Sequence, residues 1–310
     1  MSEYQYYEFL AVDEPLDVQA QAEVRELSTR ARIDATSFVN EYHWGDFRGD
    51  PRQLVERYYD AHLYCANWGT RRVMLRLPRA LLDLDVAEQY RVGDQVAAWT
   101  AGEHLILDMT SEDEPDAWDY EPEESLSGLV GVRTELAAGD HRALYLAWLA
   151  GYGSWERDED AFDPDEETEL EPPVPPGLRA LTAPQRALAE FLRLDDDLLA
   201  VAAQESRPLD SRQLDRTSDD PARLATWVTQ LPAAEKDRLL VRVVQNHATA
   251  VRTELLRRFR AAETAPLVAG QPRRTVADLL DNAALRRADR RRGETQNEAR
   301  REHVIQGGKR

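Results

Sequence analysis

Glu41, His43, Asp46 and Asp50 are the residues whose types and spacing come closest to a reactive set. They lie in the run Asn40-Glu41-Tyr42-His43-Trp44-Gly45-Asp46-Phe47-Arg48-Gly49-Asp50-Pro51. An imidazole beside carboxylates can ligate a divalent metal or share a proton with an acid–base partner. In an extended segment Glu41 and His43 fall on one face, which permits a two-residue chelate. The plainer reading is a polar strand end leading into a helix, with Asp50 as the cap and Pro51 in the first turn. That reading carries more weight, because two ligands without a further partner do not define a metal site.

A second motif, Ala66-Asn67-Trp68-Gly69-Thr70, again sets tryptophan beside glycine. Trp44, Asn67 and Trp68 form the candidate surface for a ligand or peptide, weighed against the commoner role of such rings in sheet-face packing. His62 and Cys65 do not make a nucleophilic pair, since positions three apart on a strand face opposite ways and cysteine is commonly a small buried hydrophobe. Ser37 and Ser154 sit in no nucleophile elbow. There is no Gly-x-Gly-x-x-Gly and no Gly-Lys-Ser/Thr, so no cofactor is implied.

These residues need elements to hold them. Tyr4–Val12 reads as an aromatic-rich strand, and Leu16, Ala20, Val24, Leu27 and Ala31 recur at helical spacing after Pro15. Arg32–Tyr42 reads as one strand, followed by a short helix from Asp50-Pro51. His62–Trp68 and Arg71–Leu77 read as a hairpin, Leu81–Tyr90 as a short helix, and Val96–Thr100 with His104–Met109 as a second hairpin. The order predicts an α+β fold: a mostly antiparallel sheet with helices on one face, followed by an all-helical C-terminal region.

The 310 residues are long enough for two domains, and a net charge of -19 argues against a surface that coats nucleic acid. Charge is segregated. Ser111–Glu124 holds eight acids and no base, Glu156–Glu171 ten acids against Arg157, and the chain after Gln271 eleven bases against six acids. The expected organisation is an aromatic-rich α+β domain at 1–110, an acidic linker with short helices at 111–155, and an acidic, proline-rich linker at 156–177. A helical bundle at 178–262 and an arginine-rich helical or disordered tail at 263–310 complete it. The second linker is expected to be exposed, having too few apolar residues to offset its ordering entropy. No window suits a membrane span or a signal peptide, and a single cysteine excludes a disulfide framework or a cysteine zinc site. A cytoplasmic protein without a membrane partner is expected.

Lys236 and Lys309 are the only lysines, a bias that a GC-rich genome explains. In the tail, Arg286, Arg287, Arg290, Arg291 and Arg292 could neutralise phosphates. Interspersed Asp278, Asp281, Asp289, Glu294 and Glu298 favour a solvated helix whose charges meet acids of the same chain or of a partner.

The opening Met1-Ser2-Glu3-Tyr4-Gln5-Tyr6-Tyr7-Glu8-Phe9, with Tyr42-His43-Trp44-Gly45-Asp46-Phe47, Ala66-Asn67-Trp68-Gly69-Thr70 and Leu75-Arg76-Leu77-Pro78, resembles a family of uncharacterised bacterial proteins. The resemblance is strongest over the N-terminal domain and looser from Pro172 to Ala203. It implies a bacterial source and a shared domain, and carries no chemistry over. The leading expectation is a non-enzymatic adaptor that docks another protein. A metal-dependent hydrolase using Glu41, His43 and Asp46 is the alternative, and nucleic-acid association through the tail is weaker.

Overall fold

The computed structural model describes residues 4–112, 126–153, 169–209, 221–244 and 273–307, together with Val251, Leu255, Arg258 and Phe259. The fold is α+β. Seven antiparallel strands come first: β1 Gln5–Leu10, β2 Arg32–Ile33, β3 Ser37–Tyr42, β4 Ala61–Ala66, β5 Arg71–Pro78, β6 Val96–Ala101 and β7 His104–Ser111. They pair in the order β2-β3-β1-β4-β5-β7-β6. Helices α1 Val18–Leu27, α2 Pro51–Arg57 and α3 Leu84–Ala87 interrupt them.

Both faces of the sheet are covered. Tyr7, Phe9, Phe38, Met74 and Ile106 pack under α1 and α2, burying Val24, Leu54 and Val55. The opposite face carries Tyr6, Leu63, Leu75 and Leu107, which share a core with the helical region. That double burial explains why β1 is buried along nearly its whole length and reads as an aromatic run without clean alternation.

Local signals set most boundaries. Asp50 caps α2 by accepting from Arg52 N at 2.9 Å, with Pro51 at its start. The first helix begins later than its apolar spacing predicts: Asp17 caps it by accepting from Ala20 N at 2.7 Å, leaving Pro15 outside. The single strand expected over Arg32–Tyr42 is two. Asp34 accepts from Thr36 N at 2.7 Å and Ser37 N at 2.8 Å, and this side-chain turn reverses the chain so that Arg32 pairs with Val39.

The short helices expected after the sheet are α4 Leu126–Leu129, α5 Gly131–Ala137 and α6 Arg142–Gly153. Helix α6 is buried on all sides from Arg142 to Tyr152, with Tyr145 and Trp148 at its centre. Glu8 of β1 ties this layer to the sheet: its buried carboxylate accepts from Leu126 N at 3.0 Å, the first residue of α4. Helices α7 Ala183–Phe191 and α8 Asp196–Glu205 pack outside α6, α7 starting in a Thr182/Gln185 capping box.

The proline-rich segment is packed, in contrast to its expected exposure. Glu171 is 3% exposed, and Pro172 and Pro175 are buried. The reason lies a hundred residues away: Arg274 donates to the Glu171 carboxylate at 2.8 and 3.0 Å, and the Tyr145 hydroxyl donates to the same group. The acidic stretches at 113–125 and 154–168 lie outside the described residues. Helices α9 Pro221–Gln230 and α10 Ala233–Val244 follow, the Trp227 ring meeting Phe259 and Glu235 pairing with Arg258. The C-terminal segment forms a single long helix, α11 Val276–Gly307. No helix is long and apolar enough to cross a membrane among the described residues.

Candidate functional site

Strand order brings the two tryptophan–glycine motifs to the same end of the sheet. Gln5, the first residue of β1, pairs with Tyr42 at the end of β3 on one side and with Ala66 at the end of β4 on the other. The turns that follow these strands therefore flank the start of β1. Gly45 and Gly69 hold positive φ values of 76° and 104°, a conformation that residues with a Cβ adopt only with strain.

Both turns are braced from β1. Tyr4 N donates to Asn67 Oδ1 at 3.0 Å, and Asn67 N donates back to Tyr4 O at 3.0 Å. Gln5 Nε2 donates to Gly45 O at 3.1 Å. The Gln5 Oε1 atom accepts from Tyr64 at 3.0 Å and lies 2.8 Å from the Tyr7 hydroxyl, which also lies 3.1 Å from Asp46 Oδ1. Burial pushes the Tyr64 hydroxyl up to about 12, and burial with the Asp46 charge raises that of Tyr7, so both stay protonated as donors. Gln5, Tyr7 and Tyr64 carry the bracing yet escape a motif-based reading. Their only sequence signal is that Gln5 and Tyr7 share a strand face.

On this frame Trp44 is 71% exposed and Trp68 46% exposed. Arg30 stands over the Trp44 ring with its guanidinium carbon 6.0 Å from the centroid. Large rings held in water on stiff turns are suited to entering a partner's pocket, because little side-chain freedom remains to be lost.

The reactive candidates do not assemble into a set of three. Glu41 lies in β3 opposite Tyr6, whereas His43 follows the end of that strand and rests against the Tyr4 ring at 5.3 Å. The Gly45 turn carries Asp46 to the other face, where it meets Tyr7 and accepts from Phe47 N at 2.7 Å. No group of three His, Cys, Asp or Glu side chains suited to a metal occurs among the described residues. Cys65 is buried on the face opposite His62.

Arg286, Arg287, Arg290 and Arg292 of the tail meet acids of the same chain. Asp195 caps α8 and pairs with Arg287 at 2.9 Å. The buried Asp197 carboxylate pairs with Arg286 at 3.2 Å and Arg290 at 2.9 Å. Arg292 pairs with Asp289 at 2.5 Å, and Arg291 is exposed. Val276, Leu279 and Ala283 are buried beneath this seam, so the first half of α11 is a docked element. Asp197→Ala is expected to cost about 1 kcal/mol, since both arginines are half exposed and regain water. Hydrogen exchange read along α11 should then speed up between 276 and 290; unchanged protection would show that the apolar contacts hold the helix alone.

No protein-family model matches the chain, and no curated protein or solved structure is detectably similar to it.

Proposed function

We propose that this protein is a non-enzymatic interaction module that presents Trp44 and Trp68 to another protein. The observation that carries the reading is the exposure of two tryptophans on turns that flank the start of β1, one turn tied to Gln5 and the other to Tyr4 by hydrogen bonds. Exposed rings of this kind are the usual anchors of protein interfaces, and a few such anchors supply most of the binding energy. A protein partner suits the site better than nucleic acid. The chain carries a net charge of -19, and the arginines Arg286, Arg287 and Arg290 already meet Asp195 and Asp197.

The test is quantitative capture from the native host with the full chain and with the Trp44→Ala/Trp68→Ala variant. Both substitutions fall on exposed side chains, so the melting temperature should not move. The wild-type chain should retain a specific protein that the variant binds at least about thirtyfold more weakly, the loss of roughly 2 kcal/mol typical of one anchor. Equal capture by both chains, or no specific capture by either, would overturn the reading.

A further inference from the structure

The outermost strand on one side of the sheet, β6, has an open edge. It pairs with β7 through Ala97, Trp99 and Ala101, opposite Asp108, Ile106 and His104. On its outer side Val96 exchanges both backbone hydrogen bonds with Val92 at 3.1 Å. Backbone groups alternate along a strand, so Ala98 and Thr100 also turn their N–H and C=O outward. No strand pairs with them among the described residues. The other edge strand, β2, is only two residues long.

Edges are ordinarily blunted by charge, proline or a bulge. The stretch Ala97–Ala101 has none of these and reads Ala-Ala-Trp-Thr-Ala; α3 packs near β6, and Thr100 stays exposed. It is centred on Trp99: the Val92 bridge closes one end and the turn into β7 closes the other.

We propose that β6 pairs with β6 of a second copy, antiparallel and centred on Trp99, joining two sheets into one. In that register Ala98 and Thr100 of one protomer exchange backbone hydrogen bonds with Thr100 and Ala98 of the other. Trp99 falls opposite its own copy in a pair without hydrogen bonds, the closer of the two antiparallel spacings and one that favours aromatic contact. Ala97 faces Ala101, and two small side chains leave room for the rings. The charges beside the ring are balanced. Arg52 stacks on Trp99 at 3.9 Å, and Glu56 accepts from its indole N–H at 2.7 Å. Each protomer thus brings one cation and one carboxylate to the seam. A second copy is the occupant proposed because its own strand sets small residues opposite the ring and adds one cation and one carboxylate to the seam, and a strand paired antiparallel with its copy closes as a two-fold dimer. The proposal is independent of the reading of the Trp44 and Trp68 turns, which lie on other strands.

Sedimentation velocity of the full chain over a concentration series should show a monomer–dimer equilibrium. Thr100→Pro removes an outward N–H and no bond to β7, so the fold should survive while the dissociation constant rises at least about tenfold. Thr100→Lys, which leaves the backbone intact, should act in the same direction. The Ala97→Cys/Ala101→Cys variant should form a covalent dimer on mild oxidation, since only the two-fold register brings these positions together. A chain that stays monomeric throughout, or a dimer that both Thr100 variants leave intact, would overturn the proposal.

Discussion

Asp60→Ala is expected to lower the free energy of unfolding by about 3–5 kcal/mol, the cost of stranding buried charge. Asp60 is 1% exposed and sits where β1 ends and β4 begins. Its carboxylate accepts from Val12 N at 2.7 Å and Asp13 N at 2.8 Å, and from Arg76 at 2.9 and 3.1 Å. Burial alone would push this carboxyl up, but the two backbone donors and the Arg76 guanidinium outweigh it and hold it below its ordinary range. Arg133 of α5 stands 3.8 Å away, donates to the Arg76 carbonyl at 2.6 Å, and grips Asp13. Removing the carboxylate strands two backbone N–H groups and leaves Arg76 without its carboxylate partner, in a network that also pins α5 to the sheet. Against a typical total of 5–15 kcal/mol the loss is large. Asp13→Ala is the control: that side chain is half exposed and carries no buried backbone donors, and the Arg133 it releases keeps Asp60 at 3.8 Å and the Arg76 carbonyl, so its removal should cost less. Denaturant unfolding separates the two, and an Asp60→Ala cost no greater than that of Asp13→Ala would refute the network's role.

The second large effect is a loss of stability in mild acid that depends on His62. This residue is fully buried on the sheet face under α2, its ring stacked on Phe9 at 4.0 Å and 18°. Nδ1 lies 3.0 Å from the Glu8 carbonyl, which can only accept, so Nδ1 carries the proton and Nε2 the lone pair. Nε2 has no hydrogen-bond partner. Burial lowers the pKa from 6.5 to about 3, outweighing the opposing bond to Glu8. The folded state therefore binds fewer protons than the unfolded chain between these values. The contribution is complete above pH 6.5 and is lost progressively as pH falls toward 3. At about 1.4 kcal/mol per pH unit, roughly 2 kcal/mol should be gone by pH 5. His62→Phe keeps the ring stack and cannot titrate, so its unfolding free energy should fall less over the same interval by that amount. Parallel pH dependences in the two proteins would show that His62 is protonated without penalty.

Much of the frame is legible from short-range signals. Asp50-Pro51 and the Trp-Gly turns mark boundaries because their effects act within a few residues. Features set by distant residues are not legible in this way. Glu171 and its neighbouring prolines look like a solvated linker until Arg274 and Tyr145 are placed against them. The tail arginines look available until Asp195 and Asp197 meet them across α8. Asp46 parts from Glu41 and His43 because one glycine turn redirects the chain, and the Asp34 turn splits a segment whose residues all suit a strand. The pairing order is what brings the Trp44 and Trp68 turns to either side of the start of β1, and pairing order is a property of the whole sheet.

The end of the sheet carrying Trp44 and Trp68 is proposed to dock a protein. Hydroxyl-radical footprinting of the complex captured on the full chain, compared with the purified chain alone, tests it residue by residue. The prediction is that oxidation of Trp44 and Trp68 falls several-fold in the complex, while Trp148, already buried in α6, stays unreactive in both. Unchanged oxidation of Trp44 and Trp68 in a complex that protects other surfaces would show that the partner docks elsewhere.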